Sequence, residues 1–261
     1  MRILILIAIL LLNLPLAAQN TAIGSNEKLT FTASYRMSGL LTDLAQITME
    51  TSEVNSSGSM LLRLKCKART FSKWDNFFKI NDLYESYVSA KTLKPYLYKR
   101  EINEGSYYKF MQYKYKHKTG EVESLRRKRR KNGTFWDENQ TLSIGSGTLD
   151  IVSLIYHIRN LDIHKATSGS TDTFTVLFDN AETPVTIKLI GQETKKTKLG
   201  NIPCYKLSIA VNTLDVLKGT NANLLWLSAD ANKIPVFAKF KVAVGSGELR
   251  LEEATGLKHS L

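Results

Sequence analysis

Apolar and polar residues alternate with a period of two along most of this chain, and that period favours β-strands over helices. Leu29, Phe31, Ala33 and Tyr35, for example, are separated by threonine and serine. Such a run buries one face and exposes the other, as a half-buried strand of an antiparallel sheet does. Further strands are predicted at 44–54, 59–71, 79–88, 96–102, 173–177, 185–189, 204–211, 224–228, 236–244 and 248–252. The short turn segments between them predict an antiparallel meander.

One segment, residues 148–161, departs from this period and is predicted to be a helix. Thr148 is a suitable N-cap, and Asp150 places a carboxylate in the first turn, where the helix dipole stabilises it. The apolar residues fall on two faces: Val152, Ile155 and Tyr156 on one, and Leu154, Ile158 and Leu161 on the other. A helix that is apolar around most of its circumference is expected to be enclosed. The predicted fold is therefore mainly β: a curved antiparallel sheet or incomplete β-barrel wrapping one apolar α-helix.

Residues 1–18 have the pattern of a secretory signal peptide. A positive start is followed by an unbroken apolar run at 3–12, and Pro15 and Ala17 precede a cleavage point predicted after Ala18. The run is too short to span a bilayer, no later run approaches that length, and no cysteine near the cleavage point indicates a lipid anchor. The chain is predicted to be exported, periplasmic or extracellular, soluble and not lipid-anchored. One β-rich domain is expected at 25–256, with two sub-lobes meeting near 140–148 as the alternative.

Positive charge is the strongest feature that the fold does not explain. Lysine and arginine outnumber aspartate and glutamate by 36 to 24. In an exported protein this excess points away from nucleic acid and toward anionic lipid, lipopolysaccharide, acidic glycans or another envelope protein, although diffuse solubilising charge is the simpler interpretation. Six cations are consecutive, and Lys114 adds charge from the preceding strand; the predicted contact residues are Lys114, Arg126, Arg127, Lys128, Arg129, Arg130 and Lys131. The alternative is that the run protects an exposed strand from edge-to-edge pairing.

These cations belong to a hairpin predicted over 107–131. A two-residue loop at Thr119-Gly120 would place Lys118 opposite Glu121 and Lys116 opposite Glu123. The other face would then pair His117 with Val122, Tyr115 with Ser124 and Tyr113 with Arg126.

Residues that could carry chemistry form no recognisable catalytic or metal-binding motif. The four histidines lack the spacing of metal-ligand pairs and no CxxC is present, so no metal or cofactor is predicted. Asp150, Ser153 and His157 lie a turn apart on the helix, but a nucleophile needs a sharp turn beside an oxyanion hole, so capping explains Asp150. The least favoured hypothesis is an enzyme acting on envelope glycans through acids such as Asp75, Asp82, Glu85 or Asp137.

Two cysteines, Cys66 and Cys204, lie inside apolar-alternating runs. Export permits a Cys66–Cys204 disulfide. The alternative is that each is a small buried hydrophobe.

Several segments together resemble the exported bacterial family known as domain of unknown function 3108. They are Glu27-Lys28-Leu29-Thr30-Phe31 through Tyr35, Leu93-Lys94-Pro95, residues 150–156 with Arg159, residues 199–206, and residues 225–230 followed by 234–236. The resemblance implies an exported, β-rich domain and offers no catalytic residues to carry over. The basic run is not part of the family's pattern.

The leading functional expectation is a non-catalytic cell-envelope protein that binds or carries an amphiphilic or anionic ligand. The carrier version requires a lipid-sized cavity, which a helix packed tightly inside the sheet would fill. The alternative is a structural or interaction module that uses the basic hairpin 107–131 to contact an envelope protein or a glycan.

Overall fold

The period-two alternation produces one antiparallel sheet of fourteen strands, which a computed structural model describes over residues 19–56, 58–74, 76–211, 223–241 and 245–261. The signal-peptide prediction, at residues 1–18, lies outside these residues. The elements are β1 (Lys28–Met37), β2 (Leu40–Ser56), β3 (Ser59–Thr70), β4 (Asn81–Ser89), β5 (Pro95–Glu104), β6 (Tyr107–Lys116), β7 (Glu121–Arg129), β8 (Phe135–Ser143), α1 (Ile151–Ile158), β9 (Thr171–Phe178), β10 (Ala181–Thr197), β11 (Gly200–Val211), β12 (Leu224–Ser228), β13 (Pro235–Lys241) and β14 (Ser246–Thr255).

Two meanders meet at the strand pair β1–β14. Strands β1 to β8 run outward from this pair in chain order, and β14 back to β9 run outward on its other side. Within the described residues the two edge strands, β8 and β9, do not pair with each other, so the sheet is not closed. The prediction of a curved antiparallel sheet or incomplete barrel with one helix is therefore confirmed. Strand β8 was not predicted, because its sequence FWDENQTLS is mostly polar.

The helix α1 is shorter than the predicted 148–161 because Asp150, and not Thr148, is its N-cap. The Asp150 carboxylate accepts hydrogen bonds from the amides of Val152 (2.9 Å) and Ser153 (2.8 Å), and Ser153 Oγ accepts from the Asp150 amide (3.0 Å). This reciprocal arrangement is a capping box. The Thr148 hydroxyl instead donates to the carbonyl of Gly145 at 3.0 Å, outside the helix.

The two predicted faces of α1 pack against different parts of the core. Val152 and Tyr156 belong to a cluster built mainly from the β1–β7 half, with Leu29, Leu64 and Met111 among its members. Leu154 and Ile158 belong to a second cluster supplied by β9 to β12. The helix therefore fills space between the two meanders, which disfavours an enclosed lipid-sized site.

A buried ion pair fixes the end of this helix. Arg159 donates to both oxygens of the Glu27 carboxylate, at 2.6 and 2.7 Å, and the two side chains are 0% and 1% exposed. Arg159 Nε also donates to the carbonyl of Asn232 at 3.1 Å. Burial of two charges is tolerated only when they are paired and hydrogen-bonded, as here. The pair joins the segment before β1, the end of α1 and the β12–β13 connection.

The open edges are held together by the β9–β10 turn, which reaches across to the inner strands of the other meander. Arg100 and Lys109 both donate to the Asp179 carboxylate, the latter at 2.7 Å. The Asn180 amide donates to the Tyr113 hydroxyl at 3.0 Å, and Ser124 Oγ donates to Asn180 Oδ1 at 2.7 Å. Burial alone would raise the pKa of Asp179, but the hydrogen bonds and charges of Lys109 and Arg100 lower it. A closed barrel would join its edge strands by backbone hydrogen bonds. Here side-chain hydrogen bonds connect the two meanders instead.

Both cysteines are free thiols in the structure, so the Cys66–Cys204 bridge is not formed. Cys204 is buried in the first cluster, and Cys66 packs against the outside of this cluster. Burial raises the pKa of Cys66 to about 12 and that of Cys204 to about 11, so both stay protonated at neutral pH. They contribute to the core as small apolar side chains.

The turn of the β6–β7 hairpin is longer than predicted, with four residues between Lys116 and Glu121. The amides of Thr119 and Gly120 both donate to the Lys116 carbonyl, at 3.1 and 3.0 Å, and Gly120 has a φ of 68°. This loop requires a left-handed residue at its end, which glycine supplies. The pairing is therefore Lys116 with Glu121, Tyr115 with Val122, and Tyr113 with Ser124. Because the register shift is even, the predicted faces are unchanged.

Candidate binding site at the basic hairpin

The six consecutive cations lie at the end of β7 and in the turn that follows it. Strand β7 pairs with β6 on one side and with β8 on the other, so it is an internal strand of the sheet. The interpretation that the cations protect an exposed edge is therefore wrong, because the edge is β8. Another explanation is needed for a run of like charges.

Carboxylates on β8 neutralise the first two of these cations. Arg127 Nε and Nη2 donate to the two oxygens of Asp137, both at 2.7 Å, and Arg126 Nη1 donates to Glu138 at 3.3 Å. The Arg127 contact lowers the pKa of Asp137. Since β8 was not predicted, the sequence did not reveal these partners. Arg126 and Arg127 are therefore structural residues of the sheet.

The other four cations, Lys128 to Lys131, form no ion pair with any described residue. Lys128 Nζ lies over the Trp136 ring, 5.6 Å from its centroid, and Arg129 Nη2 donates to the Ser106 carbonyl at 2.7 Å. Arg130 and Lys131 are exposed in the β7–β8 turn. The first contact joins β7 to β8, the second joins β7 to the β5–β6 turn, and the four positive charges stay uncompensated.

These four cations line a surface groove of about 580 Å³. We call it the basic groove; its lining residues are Ser106, Tyr107, Tyr108, Lys128, Arg129, Arg130, Lys131 and Gly133. The Tyr108 ring packs edge-on against Phe135, with centroids 5.4 Å apart. Burial raises the pKa of Tyr108, and its phenolic hydroxyl can donate a hydrogen bond. Guanidinium, ammonium and phenol donors in one concave surface suit the oxygens of a phosphate, sulfate or carboxylate group.

Lys114, the seventh predicted contact residue, lies away from this groove. It is exposed on β6, directly opposite Glu123 of β7. It lines a separate surface depression of about 350 Å³ together with Gln112, Glu123 and Leu125. The structure thus brings together four of the seven predicted residues.

A second groove, of about 510 Å³, lies beside the β10–β11 hairpin, but three of its four cations are paired, and only Lys196 has no ion pair with a described residue. Lys195 contacts Glu193 at 2.7 Å, Lys198 contacts Glu252 at 2.5 Å, and Arg250 contacts Asp43 at 2.7 Å. Lys195 Nζ also lies 4.1 Å from the Trp226 ring centroid. A cation that is already paired with a carboxylate attracts an anionic ligand only weakly. The basic groove is therefore the better anion site.

Three of the four acids considered for glycan chemistry have a structural partner. Asp82 is buried, accepts from the Asn103 amide at 2.9 Å, and has its pKa raised by burial. Glu85 pairs with Arg63, and Asp137 with Arg127. Asp75 lies outside the described residues.

Asp150 and Ser153 of the helical trio form the cap of α1, and His157 contacts the backbone of the first turn. Burial raises the pKa of Asp150 to about 6 while it accepts hydrogen bonds from Ser86 and the helix amides. His157 Nδ1 lies 3.1 Å from the Ser153 carbonyl, and so contacts the backbone of Ser153. No cluster of three or more metal-ligating side chains occurs in the described part of the chain.

Among the described residues, no helix has the length and apolar character needed to cross a membrane.

Comparison with solved structures shows the same kind of fold in a β-barrel-like protein of the DUF1849 domain from Brucella abortus. The TM-score is 0.54 at 8% identity, over 92% of this chain and 99% of that one. A protein with a YmcC-like fold from Bacteroides fragilis matches with a TM-score of 0.32 at 8% identity, over 90% of this chain and 99% of that one.

No curated protein sequence matches the chain. The family model "Protein of unknown function (DUF3108)" matches residues 30–252, which include strands β2 to β13 in full and most of β1 and β14. The resemblance seen in the separate sequence segments is thereby confirmed over nearly the whole described fold, and the chain belongs to the DUF3108 family.

Proposed function

We propose that this protein is an exported, non-catalytic binding protein that recognises a phosphate-bearing amphiphile of the cell envelope in the basic groove. The observation that carries the proposal is the set Lys128 to Lys131. These four adjacent cations have no carboxylate partner in the described structure and line one concave surface with Tyr107 and Tyr108. A phosphate group would supply the missing negative charge and accept several hydrogen bonds at once.

A surface site is favoured over an enclosed one. The helix α1 packs on both faces, with Val152 and Tyr156 in one cluster and Leu154 and Ile158 in the other. A carrier that enclosed its ligand would have to displace this helix from the core. We therefore propose binding of the anionic headgroup at the surface, with the acyl chains remaining outside the sheet.

The test uses a soluble, monomeric probe, dihexanoyl phosphatidylglycerol below its critical micelle concentration, measured by calorimetry or NMR titration. The variant Arg129→Gln/Arg130→Gln/Lys131→Gln removes three charges from the groove. Exposed ion pairs contribute about 0.5–1 kcal/mol each, so affinity should fall about ten- to a hundredfold. The matched control Lys91→Gln/Lys94→Gln/Lys118→Gln removes the same charge from exposed positions at the opposite end of the strands, and should bind as the wild type does.

Equal loss in both variants would mean that only net charge matters, and would refute a groove-specific site. The alternative function, an interaction module that uses the hairpin 107–131, involves the same cations. It is favoured by the exposure of Arg130 and Lys131 in a turn, where a partner chain can reach them. That alternative predicts capture of an acidic polysaccharide or an envelope protein with no binding of the lipid probe.

A further inference from the structure

The end of the sheet that carries the basic groove also presents exposed apolar side chains at four connections between strands. We propose that this end docks on an anionic lipid bilayer, with Phe77 and Phe78 entering the headgroup region. The role given to the cations rests on the proposed function, and the new element is that the protein meets its ligand at the surface of a bilayer. The apolar component is carried by independent observations.

The topology places alternate connections at one end of the sheet. Because the strands are antiparallel, the β1–β2, β3–β4, β5–β6 and β7–β8 connections share one end, and the β2–β3, β4–β5 and β6–β7 connections share the other. We call the first the docking end. It includes the turn of the basic groove at residues 130–134 and the described residues of the β3–β4 loop, 71–74 and 76–80.

Most of the strongly exposed large apolar side chains in the β1–β8 half lie at the docking end. They are Phe77 (83% exposed), Leu40 (72%), Phe78 (53%), Phe135 (52%) and Tyr107 (49%). The opposite end has Met60 (52%) and Tyr96 (44%). Single exposed hydrophobes are ordinary, but several gathered at one end mark an interaction surface.

Direct contacts join these connections into one surface. Trp74 Nε1 donates to the Asp43 carbonyl at 2.8 Å, which ties the β3–β4 loop to the start of β2. The Gly105 amide donates to the Lys79 carbonyl at 2.9 Å, which ties the same loop to the β5–β6 turn. Arg129 then links that turn to β7 through the Ser106 carbonyl. The loop tips therefore keep fixed positions relative to the basic groove.

The β3–β4 loop is folded, although its phenylalanines face outward. The amides of Phe77 and Phe78 both donate to the Trp74 carbonyl at 2.9 Å, and the Trp74 and Phe77 rings meet edge-on at 6.3 Å. Local hydrogen bonding therefore orders the backbone while Phe77 stays 83% exposed. An ordered loop that presents two adjacent phenylalanines is preorganised for insertion into an apolar phase.

The charge around this loop complements an anionic bilayer. Lys73 and Lys79 flank the two phenylalanines, and Lys128 to Lys131 lie beyond the β5–β6 turn. Aromatic side chains beside lysine and arginine are the usual composition of a segment that sits at a membrane interface. An apolar groove on a partner protein could also bind the phenylalanines, but it would not explain why these six cations surround them. A bilayer containing anionic lipid satisfies both features.

The experiment is cosedimentation of the full chain with vesicles of phosphatidylcholine and phosphatidylglycerol (3:1), compared with vesicles of phosphatidylcholine alone. Phe77→Ser/Phe78→Ser removes the apolar contact, and Met60→Ser/Tyr96→Ser is the matched control at the opposite end. Partial burial of one phenylalanine is expected to contribute about tenfold in affinity, so the first variant should bind at least tenfold more weakly and the control unchanged. Circular dichroism melts confirm that both variants fold.

The failure of this inference can be told apart from failure of the proposed function. Phe77→Ser/Phe78→Ser should retain binding of soluble dihexanoyl phosphatidylglycerol, since the basic groove is intact. Undiminished vesicle binding by this variant, or no binding of the anionic vesicles by the wild type, overturns the docking inference. Vesicle binding that depends on the phenylalanines without any binding of the soluble lipid would support docking and refute the groove as the ligand site.

Discussion

The buried pair between Arg159 and Glu27 offers a sharp test of how the fold is held together. Replacing Glu27 by glutamine keeps the shape of the side chain but removes the negative charge. It leaves the Arg159 guanidinium, which is 0% exposed, with neutral acceptors alone: the glutamine oxygen and the carbonyls of Asn232 and Ala22 at 3.1 and 3.4 Å. The substitution therefore creates an uncompensated charge in the core and removes little packing.

The expected loss follows from the two bonds that change. Hydrogen bonds to charged groups contribute about 1.5–3 kcal/mol each, and the glutamine oxygen restores about 1 kcal/mol of this as a neutral bond. The net loss should be about 2–5 kcal/mol, which overlaps the range of about 3–5 kcal/mol observed when one partner of a buried pair is removed. The double substitution Glu27→Leu/Arg159→Met removes both charges, and should be less destabilising than Glu27→Gln because no charge remains to be buried.

The assay is urea unfolding at pH 7, followed by far-UV circular dichroism, with the free energy of unfolding taken from linear extrapolation. Glu53→Gln is a suitable control, since Glu53 is exposed on β2. A loss below about 1 kcal/mol for Glu27→Gln, or a double variant less stable than the single one, would refute the reasoning.

Other predictions concern buried titratable groups and the turn that joins the open edges. The pKa of Asp150 is raised to about 6 in the folded chain, against about 3.9 when unfolded, so the folded state binds the extra proton. Its contribution to stability is therefore present below about pH 4 and lost by about pH 6, and the difference in Tm between wild type and Asp150→Asn should shrink between pH 4 and pH 7. Cys66 and Cys204 should react with a thiol reagent only after urea unfolding, and a reductant should leave the Tm unchanged; a lowered Tm would indicate a disulfide. Asp179→Asn should lower stability by about 1–3 kcal/mol, because Arg100 and Lys109 lose their shared carboxylate, whose side chain is 43% exposed and therefore partly screened by solvent. Asp172→Asn, on the exposed part of β9, should have little effect, and an equal effect of the two substitutions would argue against the turn as a clasp.

The pattern of alternating residues was sufficient to predict the architecture. Strand β12 was predicted at its observed bounds, and each of the two predicted faces of α1 packs in a different hydrophobic cluster. These features depend on which residues are buried, and a period in the sequence reports burial directly. The helix start was less certain, since Thr148 and Asp150 are both good caps and only tertiary contacts, such as that between Asp150 and Ser86, choose between them.

Features that depend on pairing between distant residues were not predictable from one sequence. Strand β8 is polar because it forms the edge of the sheet, so it lacks the alternation that marks the other strands. Its absence from the prediction concealed the partners of Arg126 and Arg127, and the basic run therefore looked like one site of six cations. Likewise, nothing in the local sequence indicates that Arg159 meets Glu27 across the core.

The most direct test of an anion-binding groove is cosedimentation of the wild type and the variant Arg129→Gln/Arg130→Gln/Lys131→Gln with phosphatidylglycerol-containing vesicles at low and high ionic strength. We expect the wild type to bind at low salt and to be released at about 0.5 M salt, where the screening length falls to a few ångströms. The triple variant should bind these vesicles about ten- to a hundredfold more weakly than the wild type at low salt. Equal binding of the two proteins, or binding that does not respond to salt, would contradict the assignment of Lys128 to Lys131 as the ligand site.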